Sequence, residues 1–191
     1  MEFEALIRAR YSVRAYRPQP VEEAKLARVL EAARLAPTAC NRQPFRILVI
    51  PTTGREAELL RIYPRPWFVQ APWLIAACGL PAENWIRRDG KNYNDVDVTI
   101  AMDHLILAAA NEGLGTCWVA AFAPAAAREA RRHRAAAGRR LPGPRRTLGS
   151  GSPGGPMSYL PPPPPPPTSS ANPWYRRPPI LFLAGLLVAA A

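Results

Sequence analysis

Acidic residues all but vanish from this chain after residue 127: Glu129 is the single one among the last 64 residues. Residues 1–127 hold 15 Lys/Arg against 13 Asp/Glu, net +2, while residues 128–191 hold 10 Arg and are net +9. The pI near 10.6 therefore belongs to the tail. The front part has an ordinary soluble balance and gives no reason to expect a nucleic-acid partner. Cysteine is sparse: Cys40, Cys78 and Cys117 stand far apart in apolar settings. An odd, unpaired set fits neither a zinc site nor a disulfide framework, so buried thiols in a reducing compartment are expected. Histidine is scarcer still, with His104 and His133 alone. His104 falls within an apolar helix and reads as structural, and no Ser/His/Asp or paired-carboxylate arrangement is present. Long apolar runs are missing too. Ile180–Ala191 has 12 residues, short of the roughly 20 that a membrane-spanning helix needs. With Glu2 and Glu4 and no uninterrupted apolar stretch in residues 1–10, no N-terminal signal peptide is expected. A cytoplasmic protein without a membrane span is expected.

What is present reads as layered α and β structure. Residues 2–9 form a short helix with Phe3, Leu6 and Ile7 on one face, and 11–20, with two prolines, are extended. Val21–Leu35 is an amphipathic helix, with Glu22 and Glu23 in its first turn and Leu26, Val29, Leu30 and Ala33 as its stripe. Phe45–Pro51 and Trp73–Gly79 are buried strands, separated by a helix over 54–62. Asp95–Glu112 is the longest helix, apolar on more than one face and so in need of cover from several sides. Gly113–Gly115 ends it and Thr116–Phe122 is a third strand. The order implies an α/β or α+β layered domain. Beyond residue 127 neither periodicity is seen. With 14 Pro and 7 Gly in 64 residues, disorder and a polyproline II stretch at Pro161–Pro167 are expected.

Three constellations could carry chemistry. In Arg10-Tyr11-Ser12-Val13-Arg14, extended backbone turns residues 10, 12 and 14 the same way. Two guanidiniums around a hydroxyl suit a phosphate dianion, although basic residues after a surface helix can be plain solvated charge. In Ala36-Pro37-Thr38-Ala39-Cys40-Asn41-Arg42-Gln43-Pro44, the amides of Asn41 and Gln43 suit the polar edge of a heterocycle or a polyol. An Asx-type turn capped by Asn41 is the alternative. In Gly113-Leu114-Gly115-Thr116-Cys117-Trp118, the glycines permit a sharp helix-to-strand turn and a flat ligand's close approach, or simply cap the helix.

In this order, with Ala71-Pro72 opening the second strand, the three resemble the nitroreductase family of flavoproteins over roughly residues 1–127. The resemblance implies an α+β, three-layer sandwich with a central, mainly antiparallel sheet and a long core helix, here truncated at the C-terminus. It also implies a homodimer with FMN in clefts at the subunit interface. Arg10 and Ser12, with Tyr11 between them, would hold the phosphate, and Arg14 would lie near the pyrimidine end, stabilising the reduced ring. Pro37, Thr38 and Ala39 of the other subunit would cover the ring, with Asn41 and Gln43 supplying amides. Trp118, Val119, Ala120 and Ala121 would run beside it, Ala120 standing where many relatives have glycine. The activity implied passes hydride from NADH or NADPH through flavin to a small acceptor such as a nitroaromatic or quinone, with no catalytic protein acid.

The pattern fits through Ala125 and then dissolves. Division at residue 128 into an incomplete FMN-binding domain (1–127) and a basic, Pro/Gly-rich tail (128–191) is expected. Out-of-frame reading of a GC-rich gene from about Arg128 accounts for such a tail, and the nucleotide sequence tests it. On that reading the last strand is lost and the sheet keeps an unpaired edge. A different function class also stands: a non-catalytic interaction protein acting through its basic polyproline tail.

Overall fold

The computed structural model describes the backbone of residues 1–136 and 184–190 and the side chains of residues 1–130. Five helices and four strands follow in the order α1 (Phe3–Ala9), α2 (Glu23–Leu35), β1 (Phe45–Pro51), α3 (Glu56–Ile62), β2 (Trp73–Gly79), α4 (Asn94–Asn111), β3 (Leu114–Val119), α5 (Pro124–Ala136) and β4 (Ala184–Ala190). All pairings between these strands are antiparallel, in the order β1-β2-β4-β3. The segment after α1 adds a parallel bridge from Ser12 to Thr116 outside β3.

Three layers result, because β2 alternates between two apolar faces. Ile75 and Ala77 join Val29, Ala33, Val98, Met102 and Leu105 of α2 and α4 on one side. Leu74, Ala76 and Cys78 join Leu59, Ile62 and Phe68, with Ala127 and Ala130 of α5, on the other. Each large side chain buried here stabilises by about 1.5–3 kcal/mol relative to exposure. A strand covered on both faces reads as an unbroken apolar run, which is why Trp73–Gly79 shows no alternation. This is the α+β sandwich with an antiparallel sheet and a long core helix that the family resemblance implies. Among the described residues, no helix is long and apolar enough to cross a membrane.

Several expectations need correction. The third strand begins at Leu114 and stops at Val119, short of Phe122. Cys40 is exposed, whereas Cys78 and Cys117 are buried. The region beyond residue 127 contributes both helix and strand. Arg128 lies inside α5, whose alanines and arginines are strong helix formers. The apolar run near the C-terminus supplies β4, which pairs with β2 and β3 together. A run too short for a membrane helix is long enough for a central strand, so β2 and β3 are both paired to β4 instead of being left with the unpaired edge expected from a lost last strand. The polyproline stretch at 161–167, and any disorder of 137–183, lie outside the described residues.

Candidate functional site

The first constellation is clamped to β3. Arg10 leaves α1 in extended conformation, and the Val13 N–H donates to the Thr116 carbonyl at 2.9 Å. Val13 turns inward and packs on Gly115, where an added Cβ would lie 2.8 Å from its Cγ2. Alternation then leaves Ser12 and Arg14 outward and exposed, with Arg10 half-buried. Neither Arg10 nor Arg14 forms an ion pair among the described residues. Two uncommitted guanidiniums flanking a serine hydroxyl are a donor set for an anion. Beneath them lies Cys117. Burial pushes its thiol up, offset by the charge of Arg14 and a hydrogen bond with Ser12. Burial likewise raises the Tyr16 phenol, followed by Cys117, with Arg14 opposing. The Tyr16 hydroxyl donates to the Val13 carbonyl at 2.8 Å, fixing the far end of the segment.

The end of β3 lies on the same side of the sheet's middle. Trp118 is 36% exposed, Val119 is buried, and Ala120 and Ala121 are exposed just past the strand. The glycines divide their roles. Gly113, at φ +73°, makes the left-handed turn out of α4. Gly115 makes room for Val13, so the close approach expected there is filled by the protein's own side chain.

The amide loop, 36–44, sits at the other edge, leading into β1. Three residues other than glycine adopt left-handed φ: Cys40 (52°), Asn41 (50°) and Gln43 (47°). Such residues are uncommon and gather where function holds them. Thr38 Oγ1 accepts the Gln43 backbone N–H at 2.9 Å, and Gln43 Nε2 donates to the Arg34 carbonyl at 2.9 Å. Gln43 is thus partly spent on the loop. The Asn41 side chain makes no hydrogen bond among the described residues, so it caps no Asx turn and its amide is free. Pro37 is exposed, Thr38 and Ala39 half-buried.

Each half of the site is therefore formed, but on opposite edges. β2 and β4 separate β1 from β3, which at ordinary strand spacing is about 14 Å. Arg10, Ser12 and Arg14 adjoin Trp118–Ala121, while Thr38, Ala39, Asn41 and Gln43 do not meet them within one copy. Sequence reasoning passed over what lies around the loop. Arg42 Nη1 donates to the Asn84 carbonyl at 2.8 Å, and Asp97 Oδ1 accepts the Ala39 N–H at 3.0 Å. Asp97 carries no sequence signal beyond lying in the first turn of the longest helix. His104, half-buried on α4, joins neither half.

An α+β sandwich with a paired-arginine anion cradle at one sheet edge and a strained amide loop at the other defines a class, and comparison with known proteins names it. The nitroreductase family model matches residues 7–65 and 63–135, and the chain belongs to that family. A Methanothermobacter thermautotrophicus protein assigned as an NADH dehydrogenase/NAD(P)H nitroreductase is 26% identical over 128 residues, covering 64% of this chain and 62% of its own. The chain thus spans about three fifths of that relative's length. A nitroreductase family protein from Clostridium difficile 630 superposes with TM-score 0.65 at 30% identity, covering 99% of this chain and 84% of that one. A Desulfovibrio desulfuricans protein assigned as a nitroreductase, solved in complex with FMN, superposes with TM-score 0.60 at 19% identity, over 100% and 86% of the two chains.

Proposed function

We propose that this chain is an FMN-dependent oxidoreductase that works as a homodimer, taking electrons from NADH or NADPH and delivering them to a small acceptor such as a nitroaromatic or quinone. One observation carries the reading: two arginines without ion-pair partners among the described residues and an exposed serine line one sheet edge, while a side-chain amide on a left-handed loop, without a hydrogen bond among those residues, lines the other. A single copy cannot close these into one cleft, but two copies exchanging edges can. Exposed apolar side chains favour such pairing: Phe3 (67%) and Ile7 (46%) lie one turn apart on α1, and Leu35 (63%) adjoins the loop. The family relationship, the FMN held by the Desulfovibrio neighbour and the NAD(P)H in the name of the archaeal relative support the same assignment.

FMN, when bound, supplies a two-electron carrier between donor and acceptor. Arg10 and Ser12, with Tyr11 alongside, would hold its phosphate through charge-assisted hydrogen bonds. Arg14 would place a fixed positive charge toward the pyrimidine end, favouring the reduced, anionic ring. Pro37, Thr38 and Ala39 of the second copy would cover the ring and exclude water, with Asn41 and Gln43 offering amide groups to its polar edge. Trp118, Val119, Ala120 and Ala121 would flank it. No protein acid or nucleophile is required. The free cysteines accord with a reducing compartment, and the proposal places the enzyme in the cytoplasm.

Flavin titration of the purified full chain, with its mass in solution measured alongside, tests this. A yellow dimer is expected, and Arg10→Ala should weaken FMN binding by about tenfold or more, the worth of one charge-assisted hydrogen bond. A colourless monomer that ignores added FMN would overturn it.

A further inference from the structure

The first turn of α4 buries two polar side chains, Asn94 at 3% and Asp97 at 2% exposure. Such burial is costly unless every donor and acceptor finds a partner. Yet Asn94 Oδ1, Asn94 Nδ2 and Asp97 Oδ2 meet none among the described residues. An apolar side chain would pack there at lower cost, so these groups point to a role other than stability. The bond that is made reaches the amide loop, where Asp97 Oδ1 accepts the Ala39 N–H at 3.0 Å. At the Thr38–Gln43 end the loop's other ties stay local, with Asn41 N–H to the Thr38 carbonyl, Gln43 N–H to Thr38 Oγ1, and Gln43 Nε2 to the Arg34 carbonyl on the preceding helix; Arg42 Nη1 to the Asn84 carbonyl and Leu80 N–H to the Pro44 carbonyl fasten its later part to the segment after β2. Asp97 comes from a different element, whose place is set by packing against α2 and the sheet. Asn94 closes the other side against Gly79, where a Cβ would lie 2.0 Å from its Nδ2.

We infer that Asp97 is a positioning residue. Its carboxylate pins the Ala39 end of the amide loop to α4, holding Asn41 and the Thr38–Ala39 backbone where a second copy's cofactor would meet them. The consequence for flavin rests on the proposed function, whereas the pinning rests on this geometry alone. Asp97→Asn keeps an accepting oxygen, Asp97→Ala removes it, and Ala39→Pro deletes the donor without touching the core. Proline suits that place, since Thr38 before it is extended (φ −133°, ψ 159°).

Cys40 supplies a readout independent of flavin. It is exposed within the loop while Cys78 and Cys117 are buried, so it reacts first with a small aromatic disulfide reagent. In the full chain, Asp97→Ala and Ala39→Pro should change the Cys40 modification rate and weaken FMN binding, each by about tenfold, the scale of one lost positioning bond. Asp97→Asn should stay within about twofold of the parent in both. Should Asp97→Ala fail to fold, Ala39→Pro decides. Parent-like Cys40 reactivity in Ala39→Pro would overturn the inference, as would Asp97→Asn behaving like Asp97→Ala. If the parent binds no FMN, the functional proposal fails while the thiol rates still judge the anchor.

Discussion

Gly79 and Gly115 are held by the side chains that occupy the space where a Cβ would stand. At Gly79 the occupant is the buried Asn94 amide, and at Gly115 it is Val13. The second contact bears on the proposed anion site, because Val13 sits between Ser12 and Arg14 and its N–H bonds to Thr116. Gly115→Ala would place a methyl 2.8 Å from Val13 Cγ2 and 3.2 Å from its Cβ. A β-branched side chain has few rotamers with which to escape, so the segment itself must lift from β3. Overpacking of this kind typically costs about 1–3 kcal/mol. Urea denaturation should show Gly115→Ala destabilised on that scale, with Val13→Ala in the same chain returning part of the loss. Unchanged stability in Gly115→Ala would show that Val13 is not confined. The glycine pair was legible in the sequence as a turn signal, which Gly113 fulfils. The reason for Gly115 was not, because its partner lies far away in the chain.

Among the elements, the α2–α4 pair frames the core and carries one well-formed tie. Arg28 donates to both Glu112 oxygens, Nε at 2.8 Å and Nη2 at 2.6 Å, fastening α2 to the end of α4. The hydrogen bond from Arg28, more than its charge, holds the Glu112 carboxyl below the usual carboxylate range. A carboxylate whose folded value is depressed contributes stability above its unfolded pKa, near 4.3 for glutamate. That contribution is lost as pH falls through the folded value. Glu112→Gln should therefore lower Tm by about 1–3 °C at neutral pH, as for a solvent-screened ion pair, and the gap should narrow as pH falls below the unfolded value and through the lower folded one. A gap independent of pH would assign the effect to packing. At this scale β1 and β2 match their sequence-derived bounds to the residue, because each is an apolar run bracketed by proline or glycine. Helix ends shifted by a few residues, as terminal turns do. α5 and β4 went unread for a different reason. A steep change in composition at Arg128 concealed local propensity, and β4 takes its place only through pairing with distant strands. The candidate site residues form three clusters in the sequence, but their division between opposite sheet edges depends on strand order, which no local pattern encodes.

For the whole molecule, β4 decides whether there is one sheet or two fragments. It lies between β2 and β3, with Leu187 opposite Leu74 on one side and Cys117 on the other. Remove it and β1–β2 becomes a two-stranded pair, while β3 keeps, among the described residues, only the Ser12 bridge; each would then depend on the covering helices alone, and new strand edges would be exposed. The halves of the candidate site would part as well, since Arg10, Ser12 and Arg14 hang from β3 and the amide loop leads into β1. Proline at a central strand position withdraws a ladder N–H and fits such strands poorly. Leu187→Pro should abolish the cooperative thermal transition and, with it, FMN binding. Ala191→Pro, one residue past β4, should preserve both and serves as the control for simply adding a proline near the end. A Leu187→Pro chain that melts at the parent temperature would show that residues 184–190 do not join β2 to β3. In that event the two edges would need another bridge, and the cleft proposed between two copies would lose the rigid sheet that spaces its walls.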